Sequence, residues 1–318
     1  MTDYDAFNGD ADGICALIQL RLDEPRPDAR LVTGVKRDIQ LLNKVEVQSG
    51  DRVTALDISF DKNRGSVNRI VAAGGTVFFC DHHFAGEIPD NEALETLIST
   101  APEVCTSALI NGRLRGRFAE WAVVGCYGDN LDTTATKLAD NIGVKTRRET
   151  LRRLGILVNY NAYGATPEDL HFKPEDLYLR MSQHESPSAL LADDPSLFET
   201  LDQAYELDMD KGAQAPRIVE RSDLAVVSLP DAPWARRVSG VLGNDLANAF
   251  PDRAHAVLTD IDGGYLVSVR APLNRRSGAD EVCRQFETGG GRSAAAGINK
   301  LPKSELNRFI DAMGAQYG

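Results

Sequence analysis

An α/β fold in two domains is predicted for this 318-residue chain, with a parallel sheet in the first domain and a smaller α/β domain after it. Three observations predict it. In the first half, short apolar runs alternate with helix-like segments, the pattern of βαβ units and a parallel sheet covered on both faces. Near the C-terminus two apolar runs flank "DGG", a hairpin signal. The length itself exceeds what one hydrophobic core comfortably serves.

In chain order, strands are predicted over 4–8 ("YDAFN"), 29–35 ("ARLVTGV"), 52–59 ("RVTALDIS") and 75–80 ("GTVFFC"), with a fifth around "VCTSALI" (104–110). Helices are predicted over 12–22, 37–45, 61–73, 91–98 and 117–126. From 131 to about 215 the pattern is mostly helical; "LRRLGILVNYNAYG" reads as a crossing helix and "KGAQAPRI" as a linker. The C-terminal pattern has a strand over 224–229, an amphipathic helix over 234–250, hairpin strands over 254–261 and 264–272, and helices over 278–286 and from about 303. The predicted division is 1–150, a helical connector 151–215, and 216–318.

Composition narrows the function. The chain carries 35 Lys and Arg against 47 Asp and Glu, a formal charge of -12. Such a chain binds nucleic acid polyanions poorly, and with 7% aromatics it lacks the stacking groove of a long single-strand binder. Excess carboxylates suit a hard-cation site. The five Cys have no CxxC spacing and read as reduced thiols, with Cys15, Cys80 and Cys126 in the core. No signal-peptide pattern opens the chain and no apolar run reaches membrane-spanning length, so a cytoplasmic protein without membrane association is expected.

The polar motifs fall at predicted strand ends, where open parallel sheets bind ligands. "FNGDADGICAL" puts Asp10 and Asp12 two apart; they can hold two ions, grip one ion together, or cap the next helix. "TALDISF" adds Asp57. "FFCDHHF" adds Asp81, His82 and His83; neighbours on a strand diverge, so one imidazole can ligate while the other reaches a substrate. Phe84 is expected to pack. "AVVGCYGDNLD" places Asp129 after an apolar helix. Mixed Asp/His ligation suits Mn²⁺, Mg²⁺, Fe²⁺ or Co²⁺. Two ions roughly 3.5–4 Å apart can hold a hydroxide and clamp a phosphoryl group. Asp10, Asp12, Asp57, His82 and Asp129 are enough ligands for this if Asp57 bridges. In "TGGGRSAAAGIN", Gly289, Gly290, Gly291 and Arg292, followed by a helix N-terminus, read as an anion grip, with Arg270, Arg275 and Arg276 nearby. Lys36 and Arg37 of "GVKRDI" read as surface charge at a helix start, and His171, His184 and His255 as structural or solvated.

"DADG", "LDIS", "CDHH" and "GCYGDNLD", in this order, resemble motifs I to IV of the DHH phosphoesterase superfamily, and "GGGRSAAAGIN" resembles the glycine-rich signature of its DHHA1 domain. The family includes RecJ exonucleases, nanoRNA and pAp phosphatases, cyclic-dinucleotide phosphodiesterases and class II pyrophosphatases. The resemblance implies a parallel-sheet DHH domain and a smaller mixed-sheet DHHA1 domain across a cleft. It implies two divalent ions, Mn²⁺ first. Asp10 would hold one ion, Asp12 the other; Asp57 would bridge, and His82 and Asp129 would complete the second. Asp81 would orient His82, and His83 would face the phosphate. Two positions depart from the pattern: Asn8 stands where many members have His or Asp and would ligate weakly, and Arg292 replaces the His of GGGH. The implied activity is hydrolysis of short oligonucleotides or linear dinucleotides to mononucleotides. Alternatives are a pAp-type phosphatase, a cyclic-dinucleotide phosphodiesterase, a RecJ-like single-strand exonuclease and a non-catalytic nucleotide sensor, with a homodimer left open.

Overall fold

In the computed structural model, which describes residues 1–318, four of the predicted strand segments become β1 (Asp3–Phe7), β2 (Arg30–Val32), β3 (Arg52–Leu56) and β4 (Thr76–Asp81), and β5 (Leu94–Ile98) joins them. They form one fully parallel sheet in the order β2-β1-β3-β4-β5. Helices α1 (Ala11–Asp23) and α2 (Phe60–Ala72) follow β1 and β3. Alternate residues Val53, Ala55, Val77 and Phe79 share one face of the sheet and bury against Phe60, Val67 and Ile70 of α2. The rings of Phe60 and Phe79 meet edge-on at 4.9 Å.

Two predicted elements exchange type. Residues 91–98, predicted as helix, contain β5, and "VCTSALI", predicted as strand, opens helix α3 (Thr106–Arg113). Helix formers such as Leu94 and Glu95 are overridden by pairing with β4. The start of α3 is fixed from afar: both oxygens of Asp12 accept backbone N–H groups, from Thr106 and Ser107 at 2.7 Å each. The helix predicted over 37–45 is only a 3₁₀ turn, Leu41–Lys44.

The helical stretch continues as α4 (Ala119–Gly128), α5 (Asp132–Asn141), α6 (Arg148–Asn161), α7 (Pro174–Met181), α8 (Pro187–Asp193) and α9 (Pro195–Ala213). The chain divides into two units, Met1–Asp202 and Gln203–Gly318, so α6 to α8 lie in the first. Helix α6 packs on α4. Its last residue, Asn161, is buried and accepts from the backbone of His171 and Phe172 while donating to Phe172.

The second unit has β6 (Arg217–Glu220), β7 (Leu224–Leu229), α10 (Pro233–Ala249), β8 (Ala254–Ile261), β9 (Gly264–Arg270), α11 (Ala279–Cys283), β10 (Gly289–Gly291), β11 (Ala295–Pro302) and α12 (Leu306–Tyr317). Its sheet runs β10-β11-β9-β8-β7-β6, with β7 and β8 parallel and the other pairs antiparallel. The predicted hairpin is β8–β9. All five Cys are free and buried, and no helix is long and apolar enough to cross a membrane.

His255 on β8 is fully buried. Burial, with Arg253 alongside, pushes its pKa down to about 4. The unfolded chain therefore holds the extra proton between about pH 6.5 and 4. Stability contributed by the neutral ring is complete above that window and is lost as pH falls through it, by about 3 kcal/mol in all. Unfolding followed from pH 7 to pH 4.5 is expected to show a shallower acid loss in His255→Leu than in the parent; equal slopes would remove His255 as the cause.

Candidate metal centre

Strand order reverses around β1, and the crevice at such a reversal opens at the carboxyl ends of the strands. There β1 leads to Asp10, β3 to Asp57 and β4 to Asp81, His82 and His83, while Asp129 follows α4. Asp10, Asp12, Asp57, Asp81 and His82 are all buried. Nδ1 of His82 donates to the Val104 carbonyl at 3.0 Å. That leaves Nε2 as the lone-pair nitrogen, 3.2 Å from Asp57 Oδ1 and 3.8 Å from Asp12 Oδ2. Asp129 Oδ2 lies 3.9 Å from Nδ1 of the same ring, on the Val104 side rather than the Nε2 side. Ligand atoms of Asp57, His82 and His83 fall within 4.8 Å of one another. This donor set, imidazole with several carboxylates, fits a divalent ion.

Asp57 has a positive φ of 58°. That left-handed backbone is adopted by few residues other than Gly, Asn and Asp, and it concentrates at functional sites. Burial first, then Asp10 and Asp12 nearby, push the Asp57 carboxyl well above the ordinary range. Burial pushes Asp10 the same way, but Lys36 reverses it, and Asp10 sits below its ordinary value. Asp10 is also the N-cap of α1, accepting from the backbone of Asp12 and Gly13.

Several expectations need correction. Asp81 pairs with His83, not His82: its Oδ1 is 2.7 Å from His83 Nδ1. Residues two apart at a strand end share a side, and Val104 orients His82 instead. The Asn8 amide is committed elsewhere, its oxygen accepting from the Asp10 backbone and its nitrogen donating to the Lys36 carbonyl. Lys36, read as surface charge, reaches into the site and pairs with Asp10 and Asn159. Phe84 does not pack; it is 64% exposed. In the second unit Gly289–Gly291 form strand β10 on β11, and the next long helix, α12, begins only at Leu306. No helix N-terminus follows the glycines, so that part of the anion grip is absent. A side chain at Gly289 would overlap the Cys283 carbonyl, so close packing on α11 requires glycine there. Arg292 starts the turn between β10 and β11. Arg270 donates to Asn244 at 2.6 Å and to the Gly240 carbonyl at 3.1 Å, tying β9 to α10.

No protein-family model and no curated protein matches the sequence. Solved structures do match. A DHH domain described as a member of the S1p family of ribosomal proteins superposes with a TM-score of 0.70 at 13% identity, covering 99% of this chain and 86% of that one. The fold is that of the DHH-domain proteins. A second DHH-fold structure, RecJ with Mn²⁺ from Thermus thermophilus, gives 0.65 at 16% identity over 99% of this chain, which spans only 51% of RecJ. A pGpG-specific phosphodiesterase from Vibrio cholerae gives 0.56 at 16% identity, covering 99% of this chain and 100% of that one. The parallel sheet and separate mixed sheet found here are the architecture expected of a DHH-type chain.

Proposed function

We propose that the chain is a divalent-metal-dependent phosphoesterase that cleaves short nucleotides, with linear dinucleotides (pNpN) and short oligonucleotides as its first substrates. The observation that carries this reading is the buried group of Asp12, Asp57 and His82, with Asp129 and His83 against it, at the strand ends of a DHH-type sheet. A divalent ion held by this group, Mn²⁺ first and Mg²⁺, Fe²⁺ or Co²⁺ next, would polarise a phosphoryl oxygen and lower the pKa of water. The Val104 carbonyl fixes the ring of His82. Asp81 holds His83 by Nδ1, leaving Nε2 to face the phosphate, where it donates a hydrogen bond or proton when the ring is the imidazolium and accepts when it is neutral.

Two observations favour small substrates. A pGpG-specific phosphodiesterase is among the solved structures that share this fold. Phe84, exposed directly after His83, offers one base-stacking face rather than a groove. With Mn²⁺, purified protein is expected to convert pApA and pGpG to mononucleotides, and EDTA to stop the reaction. Including pAp, cyclic dinucleotides and longer strands separates the phosphatase, cyclic-dinucleotide and exonuclease alternatives. Bound metal without turnover on any of them would favour a nucleotide sensor. Phe84→Ala is expected to raise KM for a dinucleotide about tenfold with little change in kcat, from a stacking contribution of ~1–3 kcal/mol; an unchanged KM would remove Phe84 from the site.

A further inference from the structure

One end of the acidic cluster already holds a cation. The Lys36 ammonium pairs with Asp10 Oδ2 and donates to Asn159 Oδ1 at 2.9 Å, and it lies 5.5 Å from the Tyr163 ring centroid. Its position is set by the backbone on both sides. The Lys36 N–H donates to the Ala162 carbonyl at 2.9 Å, and its carbonyl accepts from the Asn8 side chain at 3.1 Å. Asn8, Asn159 and Asp10 are all buried. Around this ammonium Asp10 is the carboxylate in contact, and its other oxygen is taken up by the N-terminus of α1. The opposite end differs: His82 Nε2 points between Asp57 and Asp12, and no ammonium or guanidinium pairs with those two carboxylates.

We infer that Lys36 is the resident cation of the Asp10 end, and that the chain binds one divalent ion, at the Asp12–Asp57–His82–Asp129 end, rather than two. The inference rests on the metal-dependent reading above. Asp57 lies within hydrogen-bond reach of Asp10, so a divalent ion shared by the two would have to displace an ammonium that Asp10 and Asn159 hold from two sides, and the neutral Asn8, with both ends of its amide engaged, adds no charge to favour the exchange. The ammonium has three donors, of which Asp10 and Asn159 take two; the third suits a phosphate oxygen.

The test is metal stoichiometry with electron paramagnetic resonance, neither of which needs turnover. Protein equilibrated with excess Mn²⁺ and dialysed is expected to retain one ion per chain, with the six-line spectrum of an isolated Mn²⁺. The double variant Asn8→Asp/Lys36→Met is expected to retain two, with the broadened spectrum of a coupled pair. Two ions per chain in the parent protein would overturn the inference while leaving the metal-dependent reading intact. No bound ion in the parent would overturn that reading itself. A folded double variant, checked by its thermal transition, that still binds one ion would overturn the role given to Lys36; if it does not fold, the parent stoichiometry decides.

Discussion

Asp57→Asn is expected to lose turnover by on the order of 10³-fold, the scale on which a single electrostatic partner of a reacting phosphoryl group acts, while the metal-free fold becomes more stable. The asparagine keeps the left-handed backbone that position 57 requires. It removes one charge from a buried cluster in which burial and the neighbouring carboxylates already drive the Asp57 pKa up. A raised carboxyl pKa stabilises the fold only below its unfolded value and loses that contribution as pH rises, a loss the asparagine does not suffer. Melting in EDTA should therefore occur at a higher temperature for the variant. Adding Mn²⁺ should raise the parent's transition and leave the variant's nearly unmoved. Activity within tenfold of the parent, or an undiminished Mn²⁺ shift, would show that Asp57 is not a ligand.

Gly155→Ala is the second large effect expected, and it acts without touching the site. Helices α1, α4 and α6 meet where Ala11, Gly128 and Gly155 pack. A methyl on Gly155 would overlap the Val124 carbonyl and sit 2.9 Å from the Gly128 nitrogen; one on Gly128 would overlap Ala11. The obstructing atoms are mostly backbone, so the helices must part. Overpacking of this kind costs about 1–3 kcal/mol, a fall of roughly 2–12 °C in Tm for a unit of this size. The neighbours of this contact are Asp10, Asp12, Asp129 and Asn159, so kcat should fall as well. Gly65→Ala is the control: it lies exposed in α2 with nothing within 4 Å of the added methyl, and there alanine should stabilise by about 0.4–1 kcal/mol. Equal melting of the two variants would refute the packing argument.

Four of the five parallel strands were legible because β1 to β4 each carry an apolar run, and the Asp10, Asp57 and His82 motifs each close one of them. Proximity of Asp10, Asp57 and His82 then follows from the rule about strand ends. What escaped was decided by distant partners. No local pattern shows that Asp12 holds the first turn of α3, so "VCTSALI" reads as a strand on its β-branched and apolar residues. Lys36 reads as surface charge because nothing nearby in sequence neutralises it; its partner Asn159 is 123 residues away. A signal was present in "LVNYNAYG", where Asn159 and Asn161 interrupt an apolar helix face and must be satisfied once buried. The glycine-rich stretch misled because three glycines fit a tight loop and a close-packed strand equally well.

The two hydrogen bonds from Thr106 and Ser107 to Asp12 span 94 and 95 residues. Segments that far apart in the chain come together late, because their closure entropy must be met before the contact returns anything. The carboxylate therefore reaches its final orientation only when α3 docks. Partly folded chains would then hold divalent ions weakly, and the onset of tight Mn²⁺ binding during refolding would report completion of the first unit rather than its collapse.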